Sequence, residues 1–133
     1  MTAVVTDTHA AIWYLLKSPK LSSNAQIALD DATNSGDPIY VASISLVEII
    51  YLVEKGRLPQ IALDRLNDTL IDPDSAFELA PLNMSVVQAV QYIPRNLVPD
   101  MPDRIIAATA SALTLSLITR DSKIRSAGIM TIW

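Results

Sequence analysis

The chain has 133 residues, half of them hydrophobic and 18% charged, which is enough for one folded domain with a real core and excludes a disordered chain. Its formal net charge of −4 argues against a protein that coats nucleic acid, because such proteins depend on an excess of Lys and Arg. The sequence contains no cysteine, which excludes disulfides, thiolate metal sites and cysteine nucleophiles.

The beginning of the chain carries no targeting signal that we can identify. Residues 1–7 lack the basic region and the long apolar run of a signal peptide. Apolar runs elsewhere are far shorter than the roughly 20 residues needed to span a bilayer. We therefore expect a cytoplasmic protein that does not associate with a membrane.

Short apolar segments alternate with helical patterns along the chain. Strands are predicted at residues 3–6, 39–42, 77–79, 115–118 and 129–133. Helices are predicted at residues 8–16, 24–33, 43–55, 61–70, 85–92, 105–113 and 122–127. This alternation indicates an α/β fold with a mostly parallel sheet covered on both faces. Since no repeat, low-complexity segment or linker divides the chain, residues 1–133 are predicted to form one domain.

Four acidic residues lie near the ends of predicted strands or the starts of predicted helices. Each has an ordinary explanation: Asp7, Asp103 and Asp121 can cap the helices that follow them, and Glu48 can form a capping box with Ser45. Together, however, they would crowd one rim of a parallel sheet, where ligands bind in such folds. Carboxylates in such a group repel one another unless cations lie among them.

The composition narrows the identity of the expected cation. Mg²⁺ and Mn²⁺ take oxygen ligands, which an acidic cluster supplies. Zinc is disfavoured, because the chain has no cysteine and His9 is its single histidine. We interpret His9 as a structural residue. An acidic cluster with a hard metal ion is typical of phosphate chemistry.

Five short stretches carry a resemblance to a known family over nearly the whole chain. They are V-V-T-D-T-H-A-A-I-W (4–13), S-I-S-L-V-E-I (43–49), D-M-P-D-R-I-I-A-A-T-A (100–110), L-I-T-R-D (117–121) and T-I-W (131–133). Each is weak alone, but their order and spacing resemble the PIN-domain nucleases and, among these, the VapC-type toxins of bacterial toxin–antitoxin pairs. The resemblance implies a five-stranded, mostly parallel sheet in the order 3-2-1-4-5.

The same resemblance implies roles for individual residues. The catalytic acids of the family fall on Asp7, Glu48, Asp103 and Asp121. Of these, Asp7, Asp103 and Asp121 are the expected metal ligands, and Glu48 helps to complete the site. Asp100 matches an additional, outer acid, and Thr119 matches a hydroxyl residue that orients an acid or a water. Both also have structural explanations, as a loop acid and a strand-end residue.

The implied reaction is hydrolysis of an RNA phosphodiester with Mg²⁺ or Mn²⁺. One or two ions would activate a water, neutralise the non-bridging oxygens and stabilise the leaving 3′-oxygen. Arg104 and Arg120 are candidate phosphate contacts, whereas Lys123 is expected to be solvated. Trp13 and Tyr14 have rings that can stack on bases, although the apolar helix around Trp13 favours a core position.

The resemblance also implies protein partners: an antitoxin whose C-terminal segment covers the site, and often a second copy of the toxin. The predicted helices 8–16 and 43–55 are apolar on more than one face. Such faces pack either inside the domain or against another chain, and the sequence does not separate these possibilities.

Three other functions compete with a toxin. A PIN nuclease can instead act in RNA processing or turnover, and the RNA target is open in either case. A Mg²⁺-binding, non-catalytic phospho-receiver module is disfavoured, because its required acids and Lys are replaced by Thr8-His9, Pro81-Leu82-Asn83 and Trp133. A metal-free binding domain is disfavoured because all four acids are present.

Overall fold

Five short strands form one sheet in the computed structural model, which describes residues 2–133. The strands are β1 (Val4–Thr6), β2 (Ile39–Ala42), β3 (Phe77–Ala80), β4 (Ser116–Ile118) and β5 (Thr131–Ile132). Their order is β3-β2-β1-β4-β5, and all four neighbouring pairs are parallel. The predicted fold class and strand order are therefore confirmed, and the order differs from the 2-1-3-4-5 of phospho-receiver domains.

The helices match the sequence predictions closely in the part of the chain that the structure describes. They are α1 (Thr8–Leu15), α2 (Ser23–Ser35), α3 (Ser43–Glu54), α4 (Gln60–Ile71), α5 (Met84–Val90), α6 (Met101–Leu113) and α7 (Ser122–Ser126). The largest difference is at α6, which begins four residues earlier than predicted. Asp100 is its N-cap and accepts a hydrogen bond from the Asp103 amide at 3.2 Å, so Pro102 lies in the first turn, where proline is tolerated.

Successive strand residues point to opposite faces of the sheet, and each face has its own apolar core. On one face, Val4 and Ile118 pack with buried residues of α1, α2, α3 and α4. On the other face, Val5 and Leu117 pack with α5, α6 and α7. Both cores fix the strands tightly, so the carboxyl ends of β1 and β4 are held at a defined rim.

Helix α3 does not use all of its apolar surface inside the domain. Ile49 is fully buried, whereas Val47, Ile50 and Tyr51 are exposed by 46%, 40% and 57%. The exposed group leaves room for a partner on this helix. Within residues 2–133, every helix is too short or too polar to cross a bilayer.

Candidate active site

Asp7 and Asp121 lie where the two central strands end. The Asp7 amide donates to the carbonyl of Ile118, the last residue of β4, at 3.0 Å, so the ends of β1 and β4 are joined directly. Asp121 follows three residues after β4. Strand order reverses between these two strands, which is the usual place for a ligand in an open parallel sheet.

Both residues also cap helices, as the simpler interpretation predicts. Asp7 Oδ1 accepts from the Ala10 amide at 2.8 Å, and Asp121 Oδ1 accepts from the Lys123 amide at 2.9 Å. Each of these bonds uses one oxygen of a carboxylate, which has two oxygens and about four lone pairs. Capping therefore orients the two side chains and leaves them capacity to bind a further ligand.

The other three acids come together from α3 and the first turn of α6. One carboxylate oxygen from each of Glu48, Asp100 and Asp103 lies within 4.8 Å of the others. Neither capping alternative holds here: α3 begins after Ala42 without a side-chain cap, and α6 is capped by Asp100 instead of Asp103. Three oxygens at this spacing fit the ligand shell of a hard divalent cation, whose oxygen ligands lie about 2.0–2.6 Å from the metal.

Two buried threonines support the acids. Thr8 Oγ1 donates to Glu48 Oε1 at 2.6 Å, and Thr119 Oγ1 accepts from the Asp121 amide at 3.1 Å. Thr119, which is predicted to support the acids, thus contacts Asp121 through the backbone amide of that residue. Thr8 is absent from the sequence-based predictions, although its place directly after Asp7, at the start of an apolar helix, was a usable signal.

All five acids line one cavity of about 630 Å³, within the size range of small-molecule sites. Its lining also contains Thr119 and a group of cationic, aromatic and apolar side chains: His9, Trp13, Lys20, Arg57, Leu58 and Arg120. Lys20 and Arg57 were not predicted, because they lie in turns between helices and outside the five stretches that carry the resemblance. The cavity therefore combines an acidic cluster with a cationic rim.

Repulsion among the carboxylates and their burial make it unfavourable for all five acids to be ionised without a cation bound among them. Burial, and after it the repulsion of the carboxylates of Asp100, Glu48, Asp121 and Asp7 in that order of effect, together raise the pKa of Asp103 to about 7. Burial also raises the pKa of Asp7, although Thr119, the Ala10 amide and His9 oppose it. A bound cation would relieve both the repulsion and the desolvation, so the donor set fits a divalent metal.

Arg104 lies outside the acidic cavity, contrary to its predicted role as a phosphate contact beside the acids. Its Nε donates to the carbonyl of Ile93 at 2.9 Å, and it lines a separate apolar groove with Leu82 and Met101. The cause is helix geometry, since one residue advances about 100° around an α-helix and turns Arg104 away from Asp103. Arg120, by contrast, lines the acidic cavity, so its role as a phosphate contact stays a prediction.

The aromatic residues of α1 have different surroundings. The hydroxyl of the half-buried Tyr14 donates to Asp30 at 2.7 Å, and its ring stacks on Phe77. The ring is therefore used inside the domain and is not free to stack on a base. Trp13 packs on the core but also lines the cavity. His9 is exposed beside Trp13, with ring centroids 5.7 Å apart, so its position in the cavity does not match a purely structural residue.

The bond from Thr8 leads to a specific expectation for the site. Replacing Thr8 with Val keeps the shape of the buried side chain but removes the donor to Glu48. We expect the RNA cleavage that the sequence resemblance implies to fall about tenfold or more. Thr8→Ser keeps the hydroxyl and is the matched control. Cleavage rates and thermal unfolding are measured together, and equal activity of the two variants would show that the bond has no role in catalysis.

The parallel 3-2-1-4-5 sheet with an acidic cavity at its switch point defines a class of protein. Residues 4–129 match the family model described as PIN domain, and the chain belongs to that family. The predicted recognition is therefore confirmed. The match spans β1 to the residues just before β5 and includes all five acids.

A curated relative makes the assignment more particular. The chain is 32% identical over 128 residues to Ribonuclease VapC22 of Mycobacterium tuberculosis, and the alignment covers 95% of this chain and 92% of the relative. The two proteins are homologous, as the predicted resemblance to the VapC type requires.

Two solved structures share the fold at low sequence identity. The structure of VapBC2 from Rickettsia felis, bound to a DNA fragment from the promoter, has a TM-score of 0.72 at 18% identity, covering 97% of this chain and 96% of that chain. The structure of FitAcB from Neisseria gonorrhoeae has a TM-score of 0.64 at 21% identity, with coverages of 96% and 95%. Both agree with the observed architecture.

Proposed function

We propose that this chain is a metal-dependent endoribonuclease that hydrolyses RNA phosphodiester bonds. The observation that carries the proposal is the convergence of Asp7, Glu48, Asp100, Asp103 and Asp121 on one cavity at the switch point of the sheet. Homology to a ribonuclease over 95% of the chain supports RNA as the substrate.

The acids divide into two groups around the proposed metal. Glu48, Asp100 and Asp103 would hold a divalent cation through their mutually close oxygens, and Asp7 and Asp121 would complete the ligand set from the strand ends. Bound Mg²⁺ or Mn²⁺ supplies an activated water and neutralises charge on the phosphate. Thr8 and the helix caps hold the carboxylates in place, so little reorganisation is needed when substrate binds.

Substrate contacts beyond the acids follow from the same cavity. Arg120 is the proposed phosphate contact, because its guanidinium lines the cavity next to Asp121. Arg104 lines the separate apolar groove, and its Nε donates to the Ile93 carbonyl. It would contact RNA only if the RNA extended over that groove. No Cys is available as a nucleophile, in keeping with attack by water.

The proposed biological role is that of the toxin in a toxin–antitoxin pair, acting in the cytoplasm as one PIN domain over residues 1–133. The Rickettsia felis relative is a VapBC2 assembly, which supports a protein partner for this chain. Val47, Ile50 and Tyr51 on α3 offer an exposed apolar surface for such an antitoxin. To test this, the wild type and Tyr51→Asp are each co-expressed with the product of a neighbouring antitoxin gene and purified by affinity capture. Recovery of equal amounts of antitoxin with the two proteins would contradict a role for α3 in binding it.

A homodimer is proposed on a second surface, between α5 and α6. Leu82, Val87 and Met101 are exposed by 45%, 50% and 64% and line one apolar groove. Burying such a patch against a second copy would remove apolar area from water. Sedimentation analysis should show a dimer that Val87→Asp converts to a monomer; a monomeric wild type would contradict the proposal.

The proposed activity is tested by incubating the purified protein with random-sequence RNA. We expect cleavage with Mg²⁺ or Mn²⁺, none with EDTA, and recovery when excess metal is restored. Cleavage that persists in EDTA would contradict a metal-dependent reaction. An inactive but folded wild type would contradict the nuclease assignment.

A further inference from the structure

The cavity has a second chemical character besides its acids. Lys20, Arg57 and Arg120 are three of only ten Lys and Arg residues in a chain of net charge −4, yet all three line this cavity. Lys20, Arg57 and Arg120 are exposed, so their charged ends are available to a ligand. These three cationic side chains are therefore grouped beside the acidic cluster and are not simply part of an evenly charged surface.

Trp13 holds two of these cations in position. The Arg120 guanidinium carbon lies 5.0 Å from the centroid of the Trp13 ring, and Lys20 Nζ lies 5.9 Å from it. Both distances are within the range of cation–π attraction. Trp13 itself is fixed, because it packs against the core and against Trp133, with ring centroids 5.9 Å apart. The ring of Trp13 therefore helps to place both cations beside the acidic cluster.

Arg120 also connects the acidic cavity with a smaller one. Thr119, Arg120 and Asp121 line both cavities, and the second, of about 120 Å³, adds Arg125 and Trp133. The two cavities therefore adjoin each other at these residues, just past the end of β4. The smaller cavity is below the roughly 300 Å³ typical of even small-ligand sites, so it can take a phosphate or a ribose but not a stack of paired bases.

We propose that Trp13, Lys20 and Arg120 form a subsite for an unpaired RNA strand, which binds the phosphates next to the scissile bond and directs the strand toward Arg125. This inference rests on the proposed ribonuclease function. Cationic grooves bind the backbone of single strands, and the second cavity, of about 120 Å³, has no room for the paired bases of a duplex. Lys20 and Arg120 contact the substrate, and Trp13 is the positioning residue that holds them.

The test measures RNA binding without cleavage. The protein carries Asp103→Asn, contains Mg²⁺, and binds a labelled, A- and C-only RNA of about 12 nucleotides, a length suited to single-strand sites. Affinity is measured by fluorescence anisotropy over a range of salt. Lys20→Gln with Arg120→Gln removes the proposed contacts. Lys55→Gln with Arg65→Gln removes the same charge from exposed helix positions outside both cavities and is the matched control.

Loss of two phosphate contacts should weaken binding about tenfold or more and reduce the slope of log affinity against log salt by about 1.4, since each single-strand contact contributes about 0.7. The control pair should leave both values near those of the parent. Trp13→Phe should weaken binding less than the double substitution, with the fold checked by thermal unfolding. The same RNA annealed to its complement should bind more weakly than the unpaired strand.

Two results would overturn the subsite. One is an unchanged salt slope in the Lys20 and Arg120 variant, and the other is equal binding of duplex and single strand. Both are separable from a failure of the proposed function, which appears as absent metal-dependent cleavage by the unsubstituted protein. A wild type that cleaves RNA while the double variant binds like its control would contradict the subsite alone.

Discussion

Asp103→Asn is expected to abolish RNA cleavage while leaving the protein folded. One of its carboxylate oxygens lies within 4.8 Å of oxygens of Glu48 and Asp100, and four neighbouring carboxylates raise its pKa. An amide has nearly the same shape but no charge, so it binds a hard cation far more weakly. Since metal assistance supplies several kcal/mol and each 1.36 kcal/mol is tenfold in rate, we expect a loss on the order of a thousandfold.

Asp7→Asn should cause a comparable loss, because the Asp7 carboxylate lines the same cavity, and an amide can still cap α1 but carries no charge to hold a cation. Asp31→Asn, an exposed position on α2, is the control for removing one negative charge and should cleave as wild type does. Rates are measured in Mg²⁺ at matched folded concentration. If both cavity variants kept wild-type rates, the acidic cluster would have no role in cleavage.

Metal affinity is expected to depend strongly on pH because of Asp103. Burial, with added repulsion from the neighbouring acids, raises the pKa of Asp103 to about 7 in the metal-free protein. A metal ligand must be deprotonated, so Mn²⁺ affinity should fall by up to about tenfold for each pH unit below 7 and level off above it. Calorimetric titration of Mn²⁺ from pH 5.5 to 8 checks this, and a flat profile would contradict it.

The stability of the metal-free protein should change in the opposite sense. The folded-state pKa of Asp103 lies above its usual value of 3.8, so the folded state binds more protons than the unfolded state between these values. The contribution of Asp103 to the free energy of unfolding is therefore favourable at low pH and is lost as pH rises toward 7. The raised pKa of Asp7 acts in the same direction.

Denaturant unfolding in EDTA measures this effect as a difference between proteins. Relative to wild type, Asp103→Asn should gain stability as pH rises from about 4 to 7, because the amide has no charge to desolvate. Asp31→Asn should follow the wild-type profile. If the wild type were more stable than Asp103→Asn at pH 8 in EDTA, the ionised Asp103 carboxylate would not destabilise the folded state, and the raised pKa would be contradicted.

The strands and the rim of the sheet could be predicted because local signals agreed with the global fold. A buried strand followed by Asp7, and another followed by Thr119-Arg120-Asp121, place acids at strand ends whatever the details of packing. The order of the strands needed the family resemblance, since short apolar runs such as 39–42 and 77–79 do not specify their neighbours.

The details of the acidic cluster depended on helix geometry that the sequence pattern left open. The pattern predicts that this helix begins at residue 105, yet Pro102 lies in the first turn of α6, and the earlier start places Asp100 beside Asp103 and Glu48. Asp100, predicted as an outer acid, is thus in the closest group of three. The bond between Thr8 and Glu48 joins segments 40 residues apart, and the sequence marks Thr8 only by its place directly after Asp7. The contact of Lys20 with the Trp13 ring arises from packing that the sequence pattern does not indicate.

The most direct test of a water-dependent hydrolysis in the acidic cavity is the fate of the attacking oxygen. RNA is cleaved by wild type with Mg²⁺ in water enriched in ¹⁸O, and the product ends are analysed by mass spectrometry. Attack by water with departure of the 3′-oxygen predicts a 5′-phosphate that carries the label and a free 3′-hydroxyl, with no products in EDTA. Products that end in an unlabelled 2′,3′-cyclic phosphate would show attack by the RNA's own 2′-hydroxyl and contradict the proposed mechanism.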